Sequence, residues 1–225
     1  MRCGAVLVAA GRSARMGFDK LLAALDGRPV LAYSLDLLAS VDAIIQIVVV
    51  TTPEKVEPVQ RLVANRPNIS VCLGGDSRQS SAERGVAALA PEVNLVLIHD
   101  AARPLASQTM MAEGIRRGAE IGAAIAAIPV SDTIKFVASD GSVERTPERG
   151  RLFAAQTPQV FRRDWLEASY ARLHANDEPP SMTDEASLLE WAGYRVHIYP
   201  GDARNIKLTN PVDLTLAEAL LRAAP

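Results

Sequence analysis

The sequence predicts an α/β fold: a single Rossmann-like, mostly parallel twisted sheet with helices on both faces and a protruding β-hairpin arm. Three observations carry this. Short, continuously apolar runs alternate with stretches of helical period, the pattern of strands buried on both faces. The elements follow one another in βαβα order, whose crossovers are right-handed. At Pro129 the alternation stops, and a polar segment centred on Asp140-Gly141 takes over.

The first run, residues 4–9, reads as the opening core strand. Its flanks resemble a short secretory leader, but the apolar stretch is brief and merges directly into a strand-to-glycine turn. Further strands are expected at 44–51 ("IIQIVVVT"), 69–73 ("ISVCL"), 94–98 ("NLVLI") and 123–128 ("AAIAAI"), with helices near 30–40, 54–64, 81–90 and 107–121. The arm spans 130–150: "VSDTIKFVASDGSVERT" places two short strands around an Asp-Gly turn pair. Polar on both sides, it cannot bury a face of its own, so it projects, either solvated or packed on another subunit.

After the arm, "RLFAAQTPQVF" reads as a strand and "RRDWLEASYARL" as a helix. "SMTDEASLLEWAG" is a helix with Thr183 as N-cap, Asp184 and Glu185 in the first turn and Gly193 as its stop. "YRVHIY" and "NIKL" are strands, and Asn210 or Asp213 starts the last helix. Residues 1–225 are thus read as one domain with the arm inside it.

Composition narrows the partners. With 24 Lys+Arg against 26 Asp+Glu the net charge is -2, so no basic field draws in nucleic acid. Any polyanion is small or held by a local cluster. No apolar run approaches the roughly 18 to 20 residues of a membrane span. Cys3 and Cys72 sit in apolar runs without metal or disulfide spacing, which fits a reducing cytoplasm.

In an open parallel sheet, ligands bind beyond the carboxyl ends of the strands. The residues there are Ala9 to Lys20, "GGDSRQSS" (74–81), "HDAARP" (99–104) and polar pieces near 131–135, 156–159 and 205–209. In the first loop a dinucleotide motif would need glycine at Ser13 and a small residue at Met16, and a P-loop would need Gly-Lys-Ser/Thr; both fail. An acidic residue closing the second strand is also missing, which argues against an NAD-dependent enzyme. What remains is Gly11, which lets a ligand approach, and Arg15 and Lys20 at a spacing that brackets a polyphosphate. The plainer reading is a glycine turn with solvated cations.

Asp100 sharpens the choice. Its charge at the end of a buried strand is not needed for packing and is costly unless paired. It therefore reads as a site residue, binding a ribose hydroxyl or Mg²⁺, with Arg103 able to take a second anion and His99 as hydrogen-bonded structure. Gly74 and Gly75 make a turn that can lie flat along a base, and Ser80 or Ser81 caps the next helix. Lys207 stands in an otherwise apolar segment, where an exposed edge lysine is the alternative.

Taken together and in order, "AAGRSARMGFDKL", "GGDSRQSS", "HDAARP", "PVSDTIK", "AQTPQVF", "TDEASLLE" and "NIKLTNPVDLTLAE" resemble the 2-C-methyl-D-erythritol 4-phosphate cytidylyltransferases of the non-mevalonate isoprenoid pathway. The first motif alone is shared with the wider nucleotidyltransferase superfamily, including enzymes of molybdenum-cofactor maturation. The later motifs specify the cytidylyl branch. The resemblance implies Mg²⁺-dependent transfer of CMP from CTP to the sugar-alcohol phosphate, giving 4-diphosphocytidyl-2-C-methyl-D-erythritol and pyrophosphate.

It implies roles as well. Arg15 and Lys20 hold the triphosphate and stabilise charge at the α-phosphate, and Lys207 reaches the same centre. Asp100 lies near the ribose, the metal and the acceptor, with Mg²⁺ carried mainly by the CTP phosphates, and Arg103 is an acceptor-binding neighbour. Ala9, Ala10, Gly75, Asp76 and Ser81 read the cytosine beside Gly11, largely by main-chain contacts. Thr133, Arg149 and Thr157 belong to the acceptor site, the first two on an arm that crosses to the partner of a homodimer.

The chain also departs from the family pattern. Ser13 stands where a second glycine is common, and Asp19-Lys20-Leu21 where Pro-Lys-Gln is frequent. "PERGRLF" leaves Arg151 as an alternative to Arg149. Some bacteria fuse this enzyme to a cyclase; here the sequence ends soon after its last helix, and a stand-alone transferase is expected. Two alternatives share the fold, a ribitol-5-phosphate cytidylyltransferase and a non-catalytic nucleotide-binding regulator. The string Asp100-Ala101-Ala102-Arg103 leans away from the first, and the three cations away from the second.

Overall fold

The computed structural model describes residues 1–11 and 16–223. Strand β1 (Cys3–Val8) is apolar throughout and almost wholly buried, and it pairs in parallel on both sides. A two-stranded hairpin, β2 (Ala24–Leu25) and β3 (Arg28–Pro29), turns on Asp26 at φ 47 and Gly27 at φ 75. This Asp-Gly pair is a hairpin signal that the sequence expectation passed over. It feeds α1 (Val30–Ala39), β4 (Ile44–Thr51), a short 3₁₀ turn (Pro53–Lys55), α2 (Val56–Val63) and β5 (Ile69–Leu73). Next come α3 (Arg78–Ala87), β6 (Leu95–Asp100), α4 (Gln108–Ile121) and β7 (Ala123–Pro129).

The arm follows as β8 (Phe136–Val137) and β9 (Val143–Arg145), antiparallel, with Gly141 at φ 86 in the turn. Then come β10 (Phe153–Arg162), α5 (Arg163–His174), α6 (Glu185–Ala192), β11 (His197–Pro200) and α7 (Pro211–Arg222). Among the described residues the main sheet has seven strands in the order β11-β7-β10-β6-β1-β4-β5. Only β10 runs antiparallel, between β6 and β7. The mostly parallel sheet expected from the sequence is therefore present.

Among the described residues, alternating residues of the strands feed a core on each face of the sheet, with a smaller cluster of Met110, Ala124, Ala126 and Tyr199 beside them. Ala5, Leu7, Ile47 and Leu97 pack with Leu31, Leu35 and Leu38 of α1 on one face. Val6, Val48, Val50 and Ile98 pack with Val86 of α3, Leu166 of α5 and Leu188 of α6 on the other.

Three local expectations are corrected. The helix expected from residue 81 starts at Arg78, and its cap is Ser77, not Ser80 or Ser81. Ser77 Oγ accepts from Ser80 N and Ser80 Oγ from Ser77 N, both at 3.0 Å, a reciprocal capping box. The cap of α6 is Asp184, not Thr183, because its N3 residue, Ser187, can reciprocate. Thr183 would have had Ala186 there. Residues 205–208 form no strand: their main chain bonds sideways, Leu208 N to Ala102 O at 2.8 Å and Asn205 O from Arg103 Nη1 at 2.7 Å.

Helix α3 lies hard against the sheet through Gly85, where a Cβ would stand 2.4 Å from Val6 Cγ1 and 2.7 Å from Val50 Cγ2. Gly85→Ala should therefore cost about 1–3 kcal/mol by overpacking, read from chemical denaturation. An unchanged midpoint would show that the helix can withdraw freely.

Candidate active site

Strand β6 ends in Asp100, which is only 7% exposed. A carboxylate so placed must find cations, and it finds them from separate parts of the chain. Arg78, at the start of α3, reaches Oδ1 through Nη2 at 3.2 Å and Nε at 3.3 Å. Lys207 Nζ stands 2.7 Å from Oδ2, and Arg103 Nε 4.0 Å from the same oxygen. On its far side Arg78 Nη1 donates to Glu185 Oε2 at 2.8 Å, and Glu185 is completely buried. Two carboxylates thus face three cations, which leaves this cluster positive and suited to an anionic ligand.

Burial works against the charge of Asp100, but Arg78, Lys207 and Arg103 outweigh it and hold the carboxyl well below the usual carboxylate range. Burial lifts Glu185 despite Arg78 beside it. The guanidinium of Arg78, although desolvated, is kept firmly charged by Glu185 and Asp100.

Beneath the cluster, Asp100 N donates to Thr157 Oγ1 at 3.0 Å. Thr157 is 3% exposed, and its hydroxyl also lies 3.0 Å from His99 Nδ1. The hydroxyl hydrogen is free to go to Nδ1, which leaves Nε2 as the donor to Arg103 O at 3.3 Å. His99 is therefore a neutral, doubly bonded tautomer, and burial pushes its pKa down to about 4.

Lys20, from the first loop, donates to Leu208 O at 2.7 Å, immediately beside Lys207. Ala9 N bonds Val50 O at 2.7 Å, continuing β1 into this mouth, and Ala10 faces Gly74, where a Cβ would come 2.6 Å from the Ala10 Cβ. Gly75 N donates to Ser81 Oγ at 3.1 Å, and Asp76 follows, exposed. The structure thus brings Ala9, Ala10, Gly74, Gly75 and Ser81 together, and Lys20, Asp100, Arg103, Thr157 and Lys207 together. Gly11 is exposed at the start of its loop, while Arg15 and Ser13 lie outside the described residues. Thr133, Arg149 and Arg151 are exposed on or beside the arm, Arg149 donating to Ser131 O at 3.0 Å, and the cluster around Asp100 does not include them.

Sequence reasoning missed Arg78 and Glu185. Arg78 carried a signal: a cation in the first turn of a helix opposes the helix dipole and needs a compensating anion. Glu185 carried none, since an acidic first turn is ordinary.

Comparisons with known proteins agree over nearly the whole length. The family model for 2-C-methyl-D-erythritol 4-phosphate cytidylyltransferase matches residues 3–223. A protein of that name from Dehalococcoides mccartyi strain CBDB1 is 41% identical over 225 residues, covering 98% of this chain and 96% of its own. The structure is similar to that of 4-diphosphocytidyl-2C-methyl-D-erythritol synthase from Anaerococcus prevotii, with a TM-score of 0.89 at 30% identity, covering 98% and 96% of the two chains. The cytidylyltransferase from Thermus thermophilus gives a TM-score of 0.79 at 30% identity, covering 99% and 100%.

The buried imidazole gives a pH dependence with a definite sign. Unfolded histidine takes a proton near pH 6.5 and folded His99 only near 4, so between these values the unfolded chain binds more protons. Its contribution is intact above pH 6.5 and is lost as pH falls towards 4. The loss is on the order of 3 kcal/mol. Urea titrations of wild type and His99→Asn at pH 7 and pH 4.5 should diverge, with the variant less pH-sensitive. Equal slopes would contradict the assignment.

Proposed function

The chain belongs to the 2-C-methyl-D-erythritol 4-phosphate cytidylyltransferase family, and on that premise we propose that the crevice beyond Asp100 is where CMP passes from CTP to the acceptor. The reaction yields 4-diphosphocytidyl-2-C-methyl-D-erythritol and pyrophosphate, a step of non-mevalonate isoprenoid precursor biosynthesis. The acceptor's phosphate oxygen attacks the α-phosphorus of CTP in line, a new P–O bond forms and the bond to the β-phosphate oxygen breaks. No protein nucleophile is needed, and the barrier lies in bringing two polyanions together and holding the charge that develops.

One observation carries the reading. Two lysines from opposite ends of the sequence converge on the late loop beside the strand-end aspartate, Lys20 on Leu208 O and Lys207 on Asp100. Lys20, with Arg15, serves the triphosphate; Lys207 serves the α-phosphate and the incoming acceptor, and Asp100 fixes Lys207. Arg103 takes the acceptor side, and Thr157 acts there by orienting the main chain of Asp100. The cytosine lies along Ala9, Ala10, Gly11, Gly75 and Asp76, with Ser81 Oγ holding the turn it rests on.

Asp100 supplies the hard oxygen that suits Mg²⁺, an ion that commonly takes one or two carboxylates plus substrate phosphates. Among the described residues no cluster of His, Cys, Asp and Glu forms an all-protein cage, so the CTP phosphates would hold most of the ion. When bound, Mg²⁺ draws charge from the phosphate oxygens. The arm bears Ile134, Phe136, Val137 and Val143 exposed, which supports a homodimer built through it, with Thr133 and Arg149 reaching the partner's acceptor site. Free thiols at Cys3 and Cys72 suit the cytoplasm.

Pyrophosphate release should require CTP, Mg²⁺ and methylerythritol phosphate together, with ribitol 5-phosphate a poor substitute. Lys20→Ala should lower kcat by about 10²–10³ with a smaller change in KM; unchanged turnover would overturn the assignment. Sedimentation should show a dimer for the wild type and a monomer for Phe136→Asp/Val143→Asp. A monomeric wild type at micromolar concentration would remove the arm's proposed role.

A further inference from the structure

Lys55 has no part in the chemistry above, yet it is not a solvated surface lysine. It ends the 3₁₀ turn after β4, and its side chain is only 12% exposed. Nζ donates to Gly11 O at 2.9 Å and lies 3.3 Å from Asp19 Oδ2. The other oxygen of Asp19 accepts from Leu21 N at 3.0 Å, across Lys20. One ammonium therefore holds both ends of the cation loop: Gly11, where it leaves β1, and Asp19, where it delivers Lys20.

Confining a lysine in this way costs rotamer entropy and hydration, so two polar partners on opposite ends of one loop mark a fixed joint. The pairing also has an electrostatic consequence. Among the described residues Lys55 is the cation paired with Asp19, whose negative charge otherwise stands beside Lys20, where a triphosphate is to bind.

We infer that Lys55 is a positioning residue that staples the two ends of the cation loop and neutralises Asp19, so that Lys20 is set on Leu208, beside Lys207, before CTP arrives. This rests on reading the loop as the triphosphate site. It assigns Lys55 to CTP capture directly, through the charge it neutralises, and to the transfer step only through Lys20, with no contact to the acceptor.

The test is steady-state kinetics on Lys55→Met, Lys55→Arg and Asp19→Asn, with Lys20→Ala alongside. Lys55→Met should raise KM for CTP about tenfold, the size of one lost charge-assisted hydrogen bond. Its kcat should fall by much less than that of Lys20→Ala, because the Lys20 ammonium is still present, and its KM for methylerythritol phosphate should stay within about twofold. Lys55→Arg, which keeps charge and donors, should restore most of the loss. Adding Asp19→Asn to Lys55→Met should recover part of it by removing the unpaired carboxylate. A CTP KM within twofold of wild type for Lys55→Met overturns the inference, as does an equal rise in both KM values. If Lys20→Ala itself leaves turnover unchanged, the triphosphate reading fails, whatever Lys55 does.

Discussion

The pairing of the Asp100 carboxylate with Arg78 is the constraint around which the end of the molecule beyond β6 is arranged. A charge at the end of a buried strand is tolerable only with partners, and Arg78 is itself held by a second buried carboxylate, Glu185. Removing one member of such a buried pair typically costs about 3–5 kcal/mol, because the remaining charge stays desolvated. The pairing therefore ties the start of α3, the start of α6 and the end of β6 to one point. Lys207 and Arg103 complete it from the last loop and from the turn after β6.

The loop that delivers Lys207 is anchored by amide side chains instead of a strand ladder. Gln156 Nε2 donates to Asp202 O at 2.9 Å, Asp202 N to Gln156 Oε1 at 3.2 Å, and Asn205 Nδ2 to Thr157 O at 2.9 Å. Strand β10, the antiparallel member, thus supports the floor beneath Asp100 through Thr157 and the late loop through Gln156. The positive excess of the site follows from this scaffold, and Lys20 adds to it from beside Lys207.

Much of this was legible in the sequence, for identifiable reasons. The β-branched run 44–51 becomes a largely buried inner strand and the short run 69–73 an edge strand with only Ile69 buried, and both match the expected bounds to the residue. Asp100 stood out because packing gave no reason for it. The pairing of Arg78 with Glu185 spans 107 residues, and no local pattern announces it. In "DSRQSS" each serine is a competent cap, and only the reciprocal bond between Ser77 and Ser80 decides. "NIKL" has strand composition, but its backbone groups go to Arg103, Ala102 and Lys20. Asp19, where the chain departs from the family pattern, has a partner in Lys55 that sequence proximity could not suggest.

Cocrystallisation with Mg²⁺ and a non-hydrolysable CTP analogue tests the central claim most directly. The account requires cytosine against the main chain of residues 74–76 and an α-phosphate within about 3 Å of both the Lys20 and Lys207 ammonium groups. A nucleotide whose triphosphate lies away from these lysines, with Asp100 still paired and unvisited, would contradict it.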